Sequence, residues 1–231
     1  MAANQRLRLT PLTVESTKPQ TGESVRRLKG AHDSITGLFG TLHTVRELKA
    51  ESGVSIRKLT HGETDILRSA LVFAGAGLDA VLKQLLRDAL PTLLTTHKSA
   101  KGALIGYSGE LFKDEPGKAR SILVSPDPTA ALQKEYIDGL TKGSQQKSDE
   151  LIAVRRAFGI TSAGPLNDDV LKGFNDFFLA RNEVVHELDL TPTSGRGTFT
   201  RRTRKMDETR ERCDAALLLA QTFIVETEAL L

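Results

Sequence analysis

Apolar residues recur at three- and four-residue steps along most of this chain, and no stretch shows the strict alternation of a half-buried strand. Val25, Leu28, Ile35, Leu38, Leu42, Val45 and Leu48 form the first such run, close to a heptad seam. It predicts a helix from Thr21 that ends at Glu51-Ser52-Gly53. The seam reads first as packing on the rest of the chain, with a second copy as the other option. Ahead of it, residues 1–20 are polar, carry Pro11 and Pro19, and read as a flexible tail. Residues 21–55 then form a helical extension. A second helix opens at the capping box Thr60-His61-Gly62-Glu63 and runs to Leu90, where Pro91 stops it. Ile66, Leu67, Leu71, Phe73, Leu78, Val81, Leu82, Leu85 and Leu86 give it a wide apolar arc, as expected of a central helix.

Ala74-Gly75-Ala76-Gly77 falls inside that helix. It lacks a phosphate-loop pattern, so close approach of a neighbouring helix is the expected role. Over residues 95–126, Gly102, Gly106, Gly109, Pro116, Gly117 and Pro126 interrupt the periodicity and predict short helices and loops. Two helices follow over 129–141 and 147–158, separated near Gly143-Ser144. Asn167, followed by Asp168 and Asp169, predicts the N-cap of a further helix that carries Val170, Leu171, Phe174, Phe177, Phe178, Val185 and Leu188. A Thr-, Gly- and Arg-rich loop over 191–202 leads to a last helix from Thr203 to the end. Met206, Arg210, Cys213, Leu217, Ala220, Ile224 and Leu231 share one face of it. The fold class is therefore all-α, with a helical bundle over 56–231.

Composition narrows the function. Aromatic residues are 5% and Trp is absent, which argues against a base-stacking platform. The net charge of +3 is mild, so an electrostatic site must be local. The single cysteine, Cys213, precludes an intrachain disulfide and fits a reducing, cytoplasmic setting. Its apolar helical face makes it a buried small residue rather than a nucleophile. No apolar run reaches the length of a membrane span, and no secretory signal is visible. His32, His43, His61 and His97 show no metal-ligand spacing with one another or with Cys213, so no metal and no cofactor are expected.

Arg181-Asn182-Glu183-Val184-Val185-His186 concentrates chemistry on one predicted helix. Arg181 lies seven residues after Phe174, on an apolar stripe where a charge is costly unless paired; Asp79 is the candidate acid. His186 follows Asn182 by four residues, which puts both on one flank. This run resembles the signature of HEPN-domain ribonucleases of the prokaryotic toxin and defence type, Arg, four to six residues, then His, often with a polar residue after the Arg. Arg68 to Ala74, continued by Leu78 to Lys83, resembles an early helix of the same bundle.

The resemblance implies a HEPN-like bundle and a metal-independent endoribonuclease with a composite site across a homodimer. In it Arg181 holds the phosphate, Asn182 positions substrate and His186 moves protons, leaving a 2′,3′-cyclic phosphate. It further implies a toxin or phage-defence effector, restrained by an antitoxin or sensor protein. An imidazole with a reference pKa of about 6.5 suits either proton transfer of RNA cleavage, and a guanidinium fork suits phosphate oxygens. Arg196, Arg201, Arg202, Arg204 and Lys205 follow as an acid-free basic segment, readable as an RNA-binding patch or as a solvated loop. Glu183 and Glu187 read as solvent-facing charges, and Asp189 could orient His186 if the helix reaches it. Two alternatives stand beside the nuclease: a catalytically inactive HEPN-type module that binds nucleotide, RNA or protein, and an interaction protein that docks a partner on the 21–50 seam.

Overall fold

The computed structural model describes residues 7–191 and 200–231. The fold is all-α, and among the described residues the strand structure is a two-residue antiparallel ladder. Its elements are α1 (Pro19–Glu51), α2 (His61–Asp88), α3 (Leu90–Thr96), α4 (Lys98–Asp114), α5 (Pro116–Leu123), α6 (Pro128–Lys142), α7 (Ser148–Phe158), α8 (Asp168–Lys172), α9 (Asn175–Glu187), β1 (Leu190–Thr191), β2 (Thr200–Arg201) and α10 (Met206–Glu228). Two compact units are present. One comprises Met1–Thr13, Arg27–Leu78 and Asn175–Leu219, the other Val14–Arg26, Asp79–Phe174 and Ala220–Leu231. The chain passes from one to the other inside α1, α2 and α10. The division at residue 55 expected from the sequence is therefore not the division of the structure, because α1 supplies buried residues to both cores.

The first unit buries Leu28, Ile35, Phe39 and Leu42 of α1, Leu67, Leu71 and Leu78 of α2, Phe177 and Phe178 of α9, and Cys213 and Leu217 of α10. Most of the α1 seam is thus used within the chain, although Leu48 at its end is 57% exposed. Gly77 explains how α1 and α2 come together here: a Cβ built on it would stand 2.5 Å from the Ala31 Cβ. The segment read as a loose tail is held from Leu7 onward. Leu7 is buried, and the Thr10 N–H and hydroxyl both donate to the Asp214 carboxylate at 2.7 Å. The Asp214 Oδ1 of α10 thus satisfies a backbone N–H that a free tail would leave to water, and Oδ2 takes the hydroxyl.

The second unit packs α3, α4, α6, α7 and α8 on one another. Its core contains Leu85, Leu86, Leu93, Leu94, Leu151, Val154, Phe158, Leu171 and Phe223. Residues 98–114 form one continuous helix where short pieces were expected. Gly102, Gly106 and Gly109 fall on its exposed side, with no neighbouring atom within 4 Å of a built Cβ. Each glycine costs about 1 kcal/mol against alanine, and burial of Ala100 and Leu111 against the surrounding helices offsets that cost. Pro116 and Pro128 start helices rather than stop them, each in the first turn, where the missing N–H has no partner to lose.

Candidate active site

The segment expected as one helix from Asn167 to Leu188 is two. Asn167 caps the first, its Oδ1 accepting the Val170 N–H at 3.0 Å, but that helix ends at Lys172. Gly173 and Phe174 form a turn, and α9 begins at Asn175. The apolar stripe expected from Val170 to Leu188 is accordingly broken. Phe177, Phe178 and Ala180 are buried, whereas Val170, Val185 and Leu188 are 39–65% exposed.

Arg181 is half-buried on α9. Its side chain lies over Gly75 of α2, where a built Cβ would meet the Arg181 Cγ at 3.2 Å and Nε at 3.5 Å. The two glycines of Ala74-Gly75-Ala76-Gly77 therefore have separate uses: Gly77 admits a helix and Gly75 admits the arginine stem. Arg181 Nη1 donates to Asn182 Oδ1 at 3.0 Å, so guanidinium and amide are joined. Asp79, named from sequence as the acid for Arg181, instead accepts the Gln145 N–H at 2.6 Å and pairs with Lys83 at 2.9 Å. His186 is exposed, in the last turn of α9, one turn beyond Asn182. Beside this face a cleft of about 350 Å3 is lined by Arg68, Val72, Phe73, Val184, Leu188 and Arg201. Phe73 is 48% exposed and Leu188 65%, large apolar groups at its mouth.

Asp189 does not orient His186. The helix stops at Glu187, and Leu188 and Asp189 both take positive φ, 51° and 58°. Two consecutive non-glycine residues in this region cost about 1–2 kcal/mol each, so other interactions must enforce the turn. The Asp189 N–H donates to the Glu183 carbonyl at 2.9 Å, and its own carbonyl accepts the Arg202 N–H at 2.8 Å. Its carboxylate is fully buried and accepts from Arg68 Nε at 2.8 Å and Arg204 Nε at 3.0 Å. Arg204 Nη2 also contacts Asp189 Oδ1. Burial pushes the Asp189 carboxyl up, but hydrogen bonds from Arg204 and Arg68 outweigh it and hold the group below the usual carboxylate range. Burial likewise works against the Arg204 cation, and Asp189 and Glu183 outweigh it.

These contacts reassign the basic segment. Arg204 is buried and pairs with Glu183 at 2.9 Å in addition to Asp189. Arg202 pairs with Glu183 at 2.7 Å, and the exposed Arg201 pairs with Asp65 at 3.0 Å. Lys205 is exposed, and Arg196 lies outside the described residues. Glu183, expected in solvent, is a partly buried acceptor for two arginines; Glu187 remains exposed. The segment is free of acids in sequence, yet α2 and α9 bring acids to it. Arg68 was the missed signal: it follows Leu67 and precedes Leu71 on a buried stripe, and the argument applied to Arg181 applies equally to it. Arg201 belongs to β2, which pairs with β1 in the register Leu190–Arg201 and Thr191–Thr200. A ladder of two residues is too short to leave a periodic trace.

Cys213 is fully buried, and burial pushes its thiol up to about 12, consistent with a packing role. Among the described residues no group of three His, Cys, Asp or Glu side chains is placed to hold a metal ion, and no helix is long and apolar enough to cross a membrane. No protein-family model, no curated protein and no solved structure matches the chain.

Proposed function

We infer that this chain is a metal-independent endoribonuclease of the HEPN type, acting as a toxin or phage-defence effector in the cytoplasm. The observation that carries the reading is the arrangement on α9. A half-buried guanidinium is fixed over Gly75 and joined to an amide, and an exposed imidazole stands one turn further on. Arg181 supplies a fixed positive charge for the scissile phosphate, and Asn182 holds the guanidinium and contacts ribose or phosphate. His186 removes the proton from the 2′-hydroxyl, and His186 of a second copy donates one to the departing 5′-oxygen. Attack of the 2′-oxygen on phosphorus and loss of the 5′-oxygen leave a 2′,3′-cyclic phosphate. The exposed apolar groups Phe73, Val185 and Leu188 beside the motif suit burial against that second copy.

Expression of the parent chain in bacteria should slow growth and fragment RNA, and Arg181→Ala should do neither at equal protein level. Equal toxicity of the two would overturn the assignment. The alternative, a catalytically inactive HEPN-type binding module, is favoured by one observation. Arg201, Arg202 and Arg204 are engaged with acids and so do not form the free phosphate-tracking row that an RNA substrate would follow.

A further inference from the structure

The first unit contains a second, larger cavity of about 610 Å3, lined by the connection from α1 to α2 and by the segment that enters α10. Its lining is strongly cationic, with Asp207 as the acid among the lining residues. The deeper cations are already paired: Arg46 with Glu63, Arg68 with Asp65 and Asp189, and Arg204 with Glu183 and Asp189. Of the outer ones, Arg201 pairs with Asp65 at 3.0 Å, but three others do not pair. Among the described residues no ion pair joins Arg57, Lys58 or Lys205 to an acid, although all three line the cavity and are exposed. Arg202, on the same wall, is already engaged: its Nη1 pairs with Glu183 at 2.7 Å and its Nη2 with Glu187 at 3.8 Å. Met206 and Asp207, the first residues of α10, also line the cavity, so the positive end of a 23-residue helix opens onto it.

Three unpaired cations and a helix N-terminus around one concavity repel one another when it holds only water. A multiply charged anion relieves that repulsion and supplies acceptors to each. A single carboxylate is too small in charge and in size. The volume lies in the range of small-molecule sites, about 300–1,000 Å3.

We propose that this cavity binds a ligand bearing two or more phosphate groups, held by Arg57, Lys58 and Lys205. Such groups come either from a free nucleoside polyphosphate or from consecutive phosphates of an RNA strand. The site is separate from Arg181, Asn182 and His186, none of which lines it, and the proposal does not depend on cleavage.

The test uses the full chain carrying His186→Ala, in EDTA, titrated with ATP and with a short 2′-O-methyl oligoribonucleotide. At least one probe should bind, and inorganic tripolyphosphate should displace it. Lys58→Gln combined with Lys205→Gln should weaken binding roughly tenfold or more. The charge-matched pair Lys29→Gln with Lys172→Gln should not. All four lysines are exposed, so the fold is retained and circular dichroism checks it. Binding of ATP alone assigns the site to a free ligand, and binding of the oligonucleotide alone assigns it to a strand. Absence of binding by both probes, or equal weakening by the two lysine pairs, would overturn the proposal. Loss of nuclease activity in His186→Ala is read separately and bears only on α9.

Discussion

Asp189 shows how one buried acid can set the geometry of its neighbours. It ends α9 in two left-handed residues and is held there by arginines from α2 and from the segment after β2. Removing one partner of a buried ion pair strands the other charges. Asp189→Asn should therefore cost about 3 kcal/mol in denaturant unfolding at neutral pH. The pH dependence has a definite sign. The folded carboxyl titrates below its unfolded value of about 3.9. Its contribution is thus present above that value and is lost as pH falls through the folded one. The stability gap between parent and variant should be widest near neutrality and close in strong acid. A gap that is constant across this range would mean that the charge on Asp189 does not provide the stability.

At the scale of elements, most helices were legible because their apolar spacing and their caps act locally. The capping box is a clear case: the Thr60 N–H donates to Glu63 Oε2 at 2.6 Å and the Glu63 N–H to the Thr60 hydroxyl at 3.4 Å. What sequence did not disclose depends on residues far apart in the chain. Acids of α2 and α9 pair with Arg201, Arg202 and Arg204 of a run that carries no acid of its own, and Asp214 of α10 ties down Thr10. The glycines of α2 offer a direct check of helix approach. Gly77→Ala gains up to about 1 kcal/mol of helix propensity, but its Cβ meets that of Ala31. Overpacking of about 1–3 kcal/mol should win. The variant should have a lower melting temperature, and adding Ala31→Gly should recover most of the loss. Gly75→Ala meets the flexible stem of Arg181 instead, so melting should change little while RNA cleavage falls. Full cleavage by Gly75→Ala would mean that the placement of Arg181 over α2 is immaterial.

For the whole molecule, the all-α class and the tandem of Arg181 and His186 on one helix were readable in advance; how the chain divides was not. Long helices look like single-purpose elements in a linear pattern, yet α1, α2 and α10 each serve two cores. The composite-site account requires two copies, because one α9 offers one imidazole to a reaction with two proton transfers. Light scattering on purified protein should give twice the 25.1 kDa chain mass. Charged substitution of the exposed Leu188 to Glu should give the monomer and abolish cleavage together. A cleavage-competent monomer would contradict the composite site.

The most direct measurement is incubation of the purified chain with total cellular RNA in EDTA, beside His186→Ala. The account predicts cleavage by the parent alone, with 2′,3′-cyclic phosphate ends. Cleavage by both proteins, or by neither when the parent is a confirmed dimer, would contradict it.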